Sequence, residues 1–183
     1  MIFKINWIIR RFLYAIFFKN ISFHGYLGKP ITIIRPSKLT LKKNTRIFPG
    51  CRFEVHSSKG EIVVNENCSI GQNFHCTAMG KLIIEKNTLI TSNVCITDID
   101  HDYSQIGTPI FDQKYLNKKT HIGSNCFIGF GSVIQAGTTL GDNCIIGANS
   151  VVRGAFPPFS VIVGSPAKII KKYDPENNSW VRV

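Results

Sequence analysis

The residues best equipped for chemistry stand together at Asp98-Ile99-Asp100-His101-Asp102-Tyr103. An imidazole with the ordinary pKa of about 6.5 is mostly neutral at pH 7 and can take a hydroxyl proton as the oxygen attacks an electrophile. A carboxylate beside it can hold the ring in the reactive tautomer and stabilise the imidazolium that forms. His101 is therefore the candidate general base, with Asp98 and Asp100 competing to orient it. The spacing does not choose between them, and backbone carbonyls could do the job instead. His121 is the second candidate base, and His75, next to Phe74, is placed to line an acceptor groove. His24 and His56 lie in irregular stretches and read as surface. No Zn or Ca ligand set and no phosphate-cradling Gly-x-x-x-x-Gly-Lys-[Ser/Thr] is present, so no metal is expected.

The element that must position this cluster is a repeat. From His121 to Arg153 an aliphatic residue returns every sixth position, at Ile122, Ile128, Ile134, Leu140, Ile146 and Val152. Four residues after each of the first five comes a small one: Cys126, Ser132, Thr138, Cys144 and Ser150. A helix repeats its apolar face at 3.6 residues and a strand at 2, so a strict six demands a solenoid. Each six can be one short strand plus one bend, three such units closing a triangular coil. The next coil stacks at about 4.8 Å, pairing each strand with its equivalent 18 residues on. Glycine and asparagine at the bends suit backbone angles that other residues avoid.

The same register runs through Leu41, Ile47 and Phe53, then Val64, Ile70 and Cys76, then Ile84, Ile90 and Ile96. It stops at Thr97 and resumes at Ile122, so residues 97–121 form an excursion from the scaffold, and His101 lies on it. Loops leaving a rigid frame are where binding and catalysis are usually placed. Glu54 to Gly60 departs from the register and reads as a smaller loop.

The tandem [Leu/Ile/Val]-Gly-x-x-x-x units, followed by Gly164-Ser165-Pro166-Ala167-Lys168, resemble the hexapeptide-repeat acetyltransferases, over about residues 41 to 172. The resemblance implies an all-β, single-stranded left-handed parallel β-helix, a homotrimer, and acetyl-CoA as co-substrate. It also points to His101. In sugar and surface-polysaccharide O-acetyltransferases of this class a histidine opens the loop after an Asn-Val-x-Ile segment, matched here by Asn93-Val94-Cys95-Ile96. Many relatives carry Asp-His-x-His at this place; this chain keeps the Asp and the last His but has Ile99 and Asp100 between them. By motif, Phe127 and Gly129 take the place of an aromatic unit against the pantetheine arm. Ala148 offers backbone contacts, Arg153 follows on the same face, and Lys168 and Lys171 approach the CoA phosphates. Asn93, His75, Tyr103 and His121 are the candidates for the acceptor side. The acceptor-binding Asn and loop Glu of galactoside and maltose acetyltransferases are not matched.

The 183 residues suit one domain, with 44% hydrophobic residues sufficient for a core. The net charge of +11 needs a reason, and the basic residues are spread along the chain with small concentrations at each end. No nucleic-acid motif accompanies them, so nucleic acid is not an expected partner. A CoA phosphate, an anionic membrane surface or a phosphate-bearing lipid-linked or nucleotide-linked sugar each accounts for part of the excess. The six cysteines contain no Cys-x-x-Cys pair, and four occupy the small inward slot, which predicts reduced core thiols and a cytoplasmic protein.

Residues 1–20 predict an apolar and basic helix, broken by Arg10 and Arg11 and too short to span a bilayer. It either caps the open end of the solenoid or lies on the inner membrane surface. Residues 21–166 are the β-helix and 167–183 a short helix ended by Pro175 with a loose tail. The expected function is O-acetylation of a sugar hydroxyl in making a bacterial surface polysaccharide such as capsule, O-antigen or exopolysaccharide. N-acetylation of an amino sugar and a noncatalytic trimeric scaffold are the rivals.

Overall fold

The computed structural model describes residues 4–183. The first three residues of the expected N-terminal helix lie outside the described residues. Beyond that helix the chain winds into a parallel solenoid of about seven turns with three walls, of the left-handed β-helix type. The first wall begins with Gly25–Leu27, the second with Thr32–Ile34 and the third with Leu39–Leu41, and the three repeat in that order. In the later coils the register is 18 residues, as where His121 pairs with Thr139 and Phe127 with Ile145. Earlier coils are longer, Ser69 pairing with Leu89 and Arg52 with His75.

The six-residue rule accounts for the core. Ile122, Ile128, Ile134, Leu140, Ile146 and Val152 are wholly buried, as are Ser132, Thr138, Cys144 and Ser150 in the small slot. Each small polar side chain there bonds to a backbone carbonyl, as Ser132 Oγ does to Gly147 O at 2.9 Å and Thr138 Oγ1 to Val152 O at 3.0 Å. Burial is thereby reconciled with polarity. Asn125 and Asn143 hold left-handed bends at φ 56° and 59°, and stack through their side-chain amides. Gly123 is required for a different reason: a Cβ there would lie 2.6 Å from the backbone carbon of Gly141 in the next coil.

Phe127 pairs back to Leu89 and Cys95 forward to Val133, gaps of 38 residues that hold one coil and the excursion together. The excursion is an antiparallel hairpin, Ile99–His101 against Tyr115–Asn117, with a long connection between them. Glu54 to Gly60 proves less irregular than its sequence suggests: Arg52–Val55 is a full strand of the second wall, and Glu61–Val64 opens the next.

At the N-terminal end α1 (Ile5–Phe17) lies across the first coil. The buried Arg11 donates to Ser22 O at 2.6 Å, Leu41 O at 2.9 Å and Lys42 O at 3.1 Å, which ties the helix to the backbone of the first coil. Desolvation pulls its pKa down to about 10, which leaves it charged at neutral pH. At the other end the expected helix is absent. Ala167–Asp174 is a strand, antiparallel to Ser160–Gly164, and Ser179–Arg182 pairs with it in turn. The reason is the last coil's open edge: its backbone groups need partners, which a strand supplies and a helix cannot. Ala167 and Ile169 pack on the core while Lys168 and Ile170 face out, and Trp180 packs on Tyr173, so the tail is held.

Candidate active site

The hairpin is anchored at its base by Asp98. This carboxylate is wholly buried and accepts from the backbone N–H groups of Met79 at 2.7 Å and Gly80 at 2.9 Å. Its backbone carbonyl accepts from Lys118 N at 2.8 Å, and Thr120 Oγ1 donates to Thr97 O at 2.9 Å. Both strands are thus pinned to the coil they leave. Asp100 points to the other side of the hairpin, 2.6 Å from Lys118 Nζ and 3.7 Å from Arg153 Nη2. The hydrogen bond from Lys118 holds its carboxyl below the usual 3.8.

Neither aspartate therefore orients the His101 ring within the chain. Asp98 is spent on backbone amides, and Asp100 meets His101 only by accepting from its backbone N–H at 3.0 Å. The imidazole is exposed and stands edge-on to Tyr115, its cross-strand neighbour, at a centroid separation of 4.8 Å. Tyr115 has no signal of its own in the sequence, because pairing across a fourteen-residue hairpin span is not written in periodicity.

His101 overhangs a groove of about 380 Å³ on the second wall, lined by His56, Thr77, Met79, Thr97, Ile99 and Tyr115 besides itself. Thr77 and Thr97 lie on adjacent coils, joined by an Oγ1–Oγ1 hydrogen bond of 2.7 Å. One coil further toward the N-terminus Glu54 stands between two imidazoles, 3.4 Å from His75 Nε2 and 3.5 Å from His56 Nε2. The His75 contact falls short of hydrogen-bond geometry, leaving its buried Nε2 without a partner among the described residues. His56, which the sequence placed at an anonymous surface, is part of the groove. The groove offers hydroxyls, imidazoles and an aromatic edge, the chemistry that sugars are held by. A larger depression of about 550 Å³ lies on the third wall among Lys19, Lys42, Glu61 and Lys81, away from the hairpin.

The other expected site residues are dispersed. His121 is on the third wall, paired with Ile83 and Thr139, and does not line the groove. Asn93 holds a left-handed bend at φ 61° and accepts from Asn73 Nδ2, a structural ladder. Tyr103 is 72% exposed, outside the groove. Phe127 is exposed on the first wall, where Lys168 and Lys171 pair against Val163 and Val161. Gly129 and Ala148 occupy stacked turns between the first and second walls, so close that a Cβ on Gly129 would sit 2.6 Å from Ala148 N. Arg153 comes directly after the second-wall strand and lies beside Asp100. These six span two walls and form no single pocket within one chain, since each hexapeptide turns the chain to a new wall. Burial pushes the thiols of Cys51 and Cys68 up to about 12 and about 11, and those of Cys76 and Cys95 upward as well. Such thiols are poor nucleophiles. Among the described residues no group of three or more His, Cys, Asp and Glu is arranged to hold a metal ion.

Fold and site together define a class: a hexapeptide-repeat left-handed β-helix with one inserted, histidine-bearing hairpin. The bacterial transferase hexapeptide (six repeats) family matches residues 119–154. WbbJ of Escherichia coli strain K12, whose name describes a lipopolysaccharide biosynthesis O-acetyl transferase, is 30% identical over 175 residues, covering 92% of this chain and 87% of that one. A galactoside acetyltransferase solved in complex with coenzyme A is 28% identical, with a TM-score of 0.57 over 63% of this chain and 57% of its own. AntD, an N-acyltransferase of Bacillus cereus solved with dTDP and 3-hydroxybutyryl-CoA, shares the fold at a TM-score of 0.76 and 18% identity, covering 92% of this chain and 90% of its own. The chain belongs to the hexapeptide-repeat acetyltransferase family, and it is an enzyme.

Proposed function

We propose that the protein transfers acetyl from acetyl-CoA to a sugar hydroxyl in the synthesis of a bacterial surface polysaccharide, with His101 as general base. The observation that carries this reading is an exposed imidazole on a firmly pinned hairpin, overhanging a groove lined with hydroxyls and an aromatic ring. The relationship to WbbJ supports the acceptor class. In the reaction the His101 ring nitrogen takes the acceptor's proton as its oxygen bonds to the thioester carbonyl carbon. The C–S bond then breaks, and the departing thiolate takes a proton from the imidazolium, restoring the base. Transfer is direct, because the cysteines are buried or held protonated.

The split of Phe127, Gly129, Ala148, Arg153, Lys168 and Lys171 over two walls supports a donor groove completed between neighbouring copies of a homotrimer. Phe127 would pack on the pantetheine arm, exposed amides near Ala148 would bond to it, and Lys168 and Lys171 would meet the phosphates. With no carboxylate on the His101 ring inside one chain, a backbone carbonyl or a neighbouring copy would supply its orientation.

The test is incubation of the purified protein with labelled acetyl-CoA and a panel of lipid-linked oligosaccharides and nucleotide sugars. An alkali-labile product is expected, whereas an alkali-stable one would move the reading to amino-sugar N-acetylation. His101→Ala should lower kcat by about 10²–10⁴-fold with CoA binding retained. Turnover at the wild-type rate in that variant removes the base assignment, and a wild type that does not bind CoA favours a scaffold.

A further inference from the structure

The charge of this protein is not spread evenly along its axis. Residues 1–53 hold eleven of the 22 Lys and Arg and not one Asp or Glu; the first acidic residue is Glu54. The other 130 residues carry eleven of each sign, so the entire +11 belongs to the N-terminal end, namely α1 and the first coils. No partner inside the chain neutralises it: among the described residues the first ion pairs along the sequence involve Glu54 and Glu61, beyond this region.

On the same end α1 turns an apolar face outward. Its buried stripe is Trp7, Arg11, Tyr14, Ala15 and Phe18, which pack on the first coil. The opposite arc carries Ile5, Ile8, Ile9, Phe12, Leu13, Ile16 and Phe17, all about half exposed or more, Phe17 at 75%. Phe23 extends this patch, its ring 5.3 Å from that of Phe12. At 100° per residue the seven outward positions fall within one half of the helix circumference and include no charged residue. This contiguous apolar face, on the end of the molecule that also carries the exposed Lys4, Lys19, Lys42 and Lys43, is of the kind that marks a contact site.

We infer that the N-terminal end of the solenoid docks on an anionic lipid bilayer, with α1 lying flat in the interface. Charge selects lipid over a second copy, and length decides how the helix lies. The helix has thirteen residues, about 20 Å at 1.5 Å each, too short to cross a bilayer but suited to its surface. Among the described residues no helix is long and apolar enough to cross a membrane. A second copy docked end to end would set eleven uncompensated cations against eleven more, whereas anionic headgroups complement them. Docking by this end also leaves the three walls and the His101 hairpin free.

The experiment is flotation of the intact protein with vesicles of phosphatidylcholine alone and of phosphatidylcholine with about one third phosphatidylglycerol. Flotation is expected only with the anionic vesicles, falling as NaCl rises from 0.1 to about 0.5 M. Two paired variants change exposed residues only, Ile8→Ser with Phe17→Ser and Lys42→Glu with Lys43→Glu, and each should lower partitioning at least about tenfold. Circular dichroism and sedimentation mass should stay at wild-type values, readouts independent of acetyl transfer. A wild type that stays at the bottom with both vesicles overturns the inference. So does equal flotation on neutral vesicles, or an Ile8/Phe17 variant whose only change is a smaller assembly, which would make the face a contact between copies.

Discussion

Replacing Asp98 by Ala tests what that carboxylate does. It is wholly buried and accepts two backbone N–H bonds, from Met79 at 2.7 Å and Gly80 at 2.9 Å. Hydrogen bonds to a charged acceptor contribute about 1.5–3 kcal/mol each, and the two amides are only partly buried, so water recovers a share of the loss. The expected cost is about 3 kcal/mol, and Asp98→Asn, which keeps one acceptor, should cost about half of that. With a urea slope of about 2 kcal/mol/M the midpoint of Asp98→Ala falls by about 1.5 M. Unfolding is followed by circular dichroism at one fixed protomer concentration, since assembly adds to stability. Hydrogen exchange at Asp98 to Asp102 should rise in step. A loss below about 1 kcal/mol together with a collapse of kcat would refute the anchoring role and return Asp98 to the imidazole.

The same geometry sets three further outcomes. Gly123→Ala places a Cβ 2.6 Å from a backbone carbon of Gly141, which cannot move cheaply, so calorimetry should show a loss of about 2 kcal/mol or more. Lys118→Ala removes the bond that holds Asp100 below 3.8, so its carboxyl pKa, tracked by NMR titration, should rise. With Lys118 present, that contribution to the hairpin stands above pH 3.8 and is lost as pH falls through the lower folded value; the variant should show a smaller acid step, since the His101 N–H bond and Arg153 remain. Cys95→Ala should leave turnover unchanged, because burial raises that thiol's pKa and the proposed transfer is direct; a fall of more than about tenfold in kcat would argue for an acyl-thiol intermediate.

Legibility tracked the physical range of each interaction. The inward row from Ile122 to Val152 was readable because burial recurs at a fixed spacing, and no distant residue can alter which side chains face in. The N-terminal helix was readable from its apolar and basic composition, although its anchor, Arg11 on three carbonyls of the first coil, was not. The C-terminal segment misled: Ala167 to Lys172 is too short for periodicity to separate helix from strand, and the open edge at Ser160–Gly164 made the choice. Glu54 and His56 looked like loop because the register slips there, yet coil stacking aligns Glu54 with Thr77 and so brings that strand to the groove.

By itself the sequence determined the triangular coil, the place where the chain leaves it and the imidazole carried on that excursion, because all three are written in local spacing. Only the tertiary structure decided that Asp98 serves the backbone and Asp100 serves Lys118, that Tyr115 backs His101, and that His56 joins the groove. Those pairings join residues up to 45 positions apart, and the directions of side chains on neighbouring coils are set by stacking rather than by any repeat along the chain.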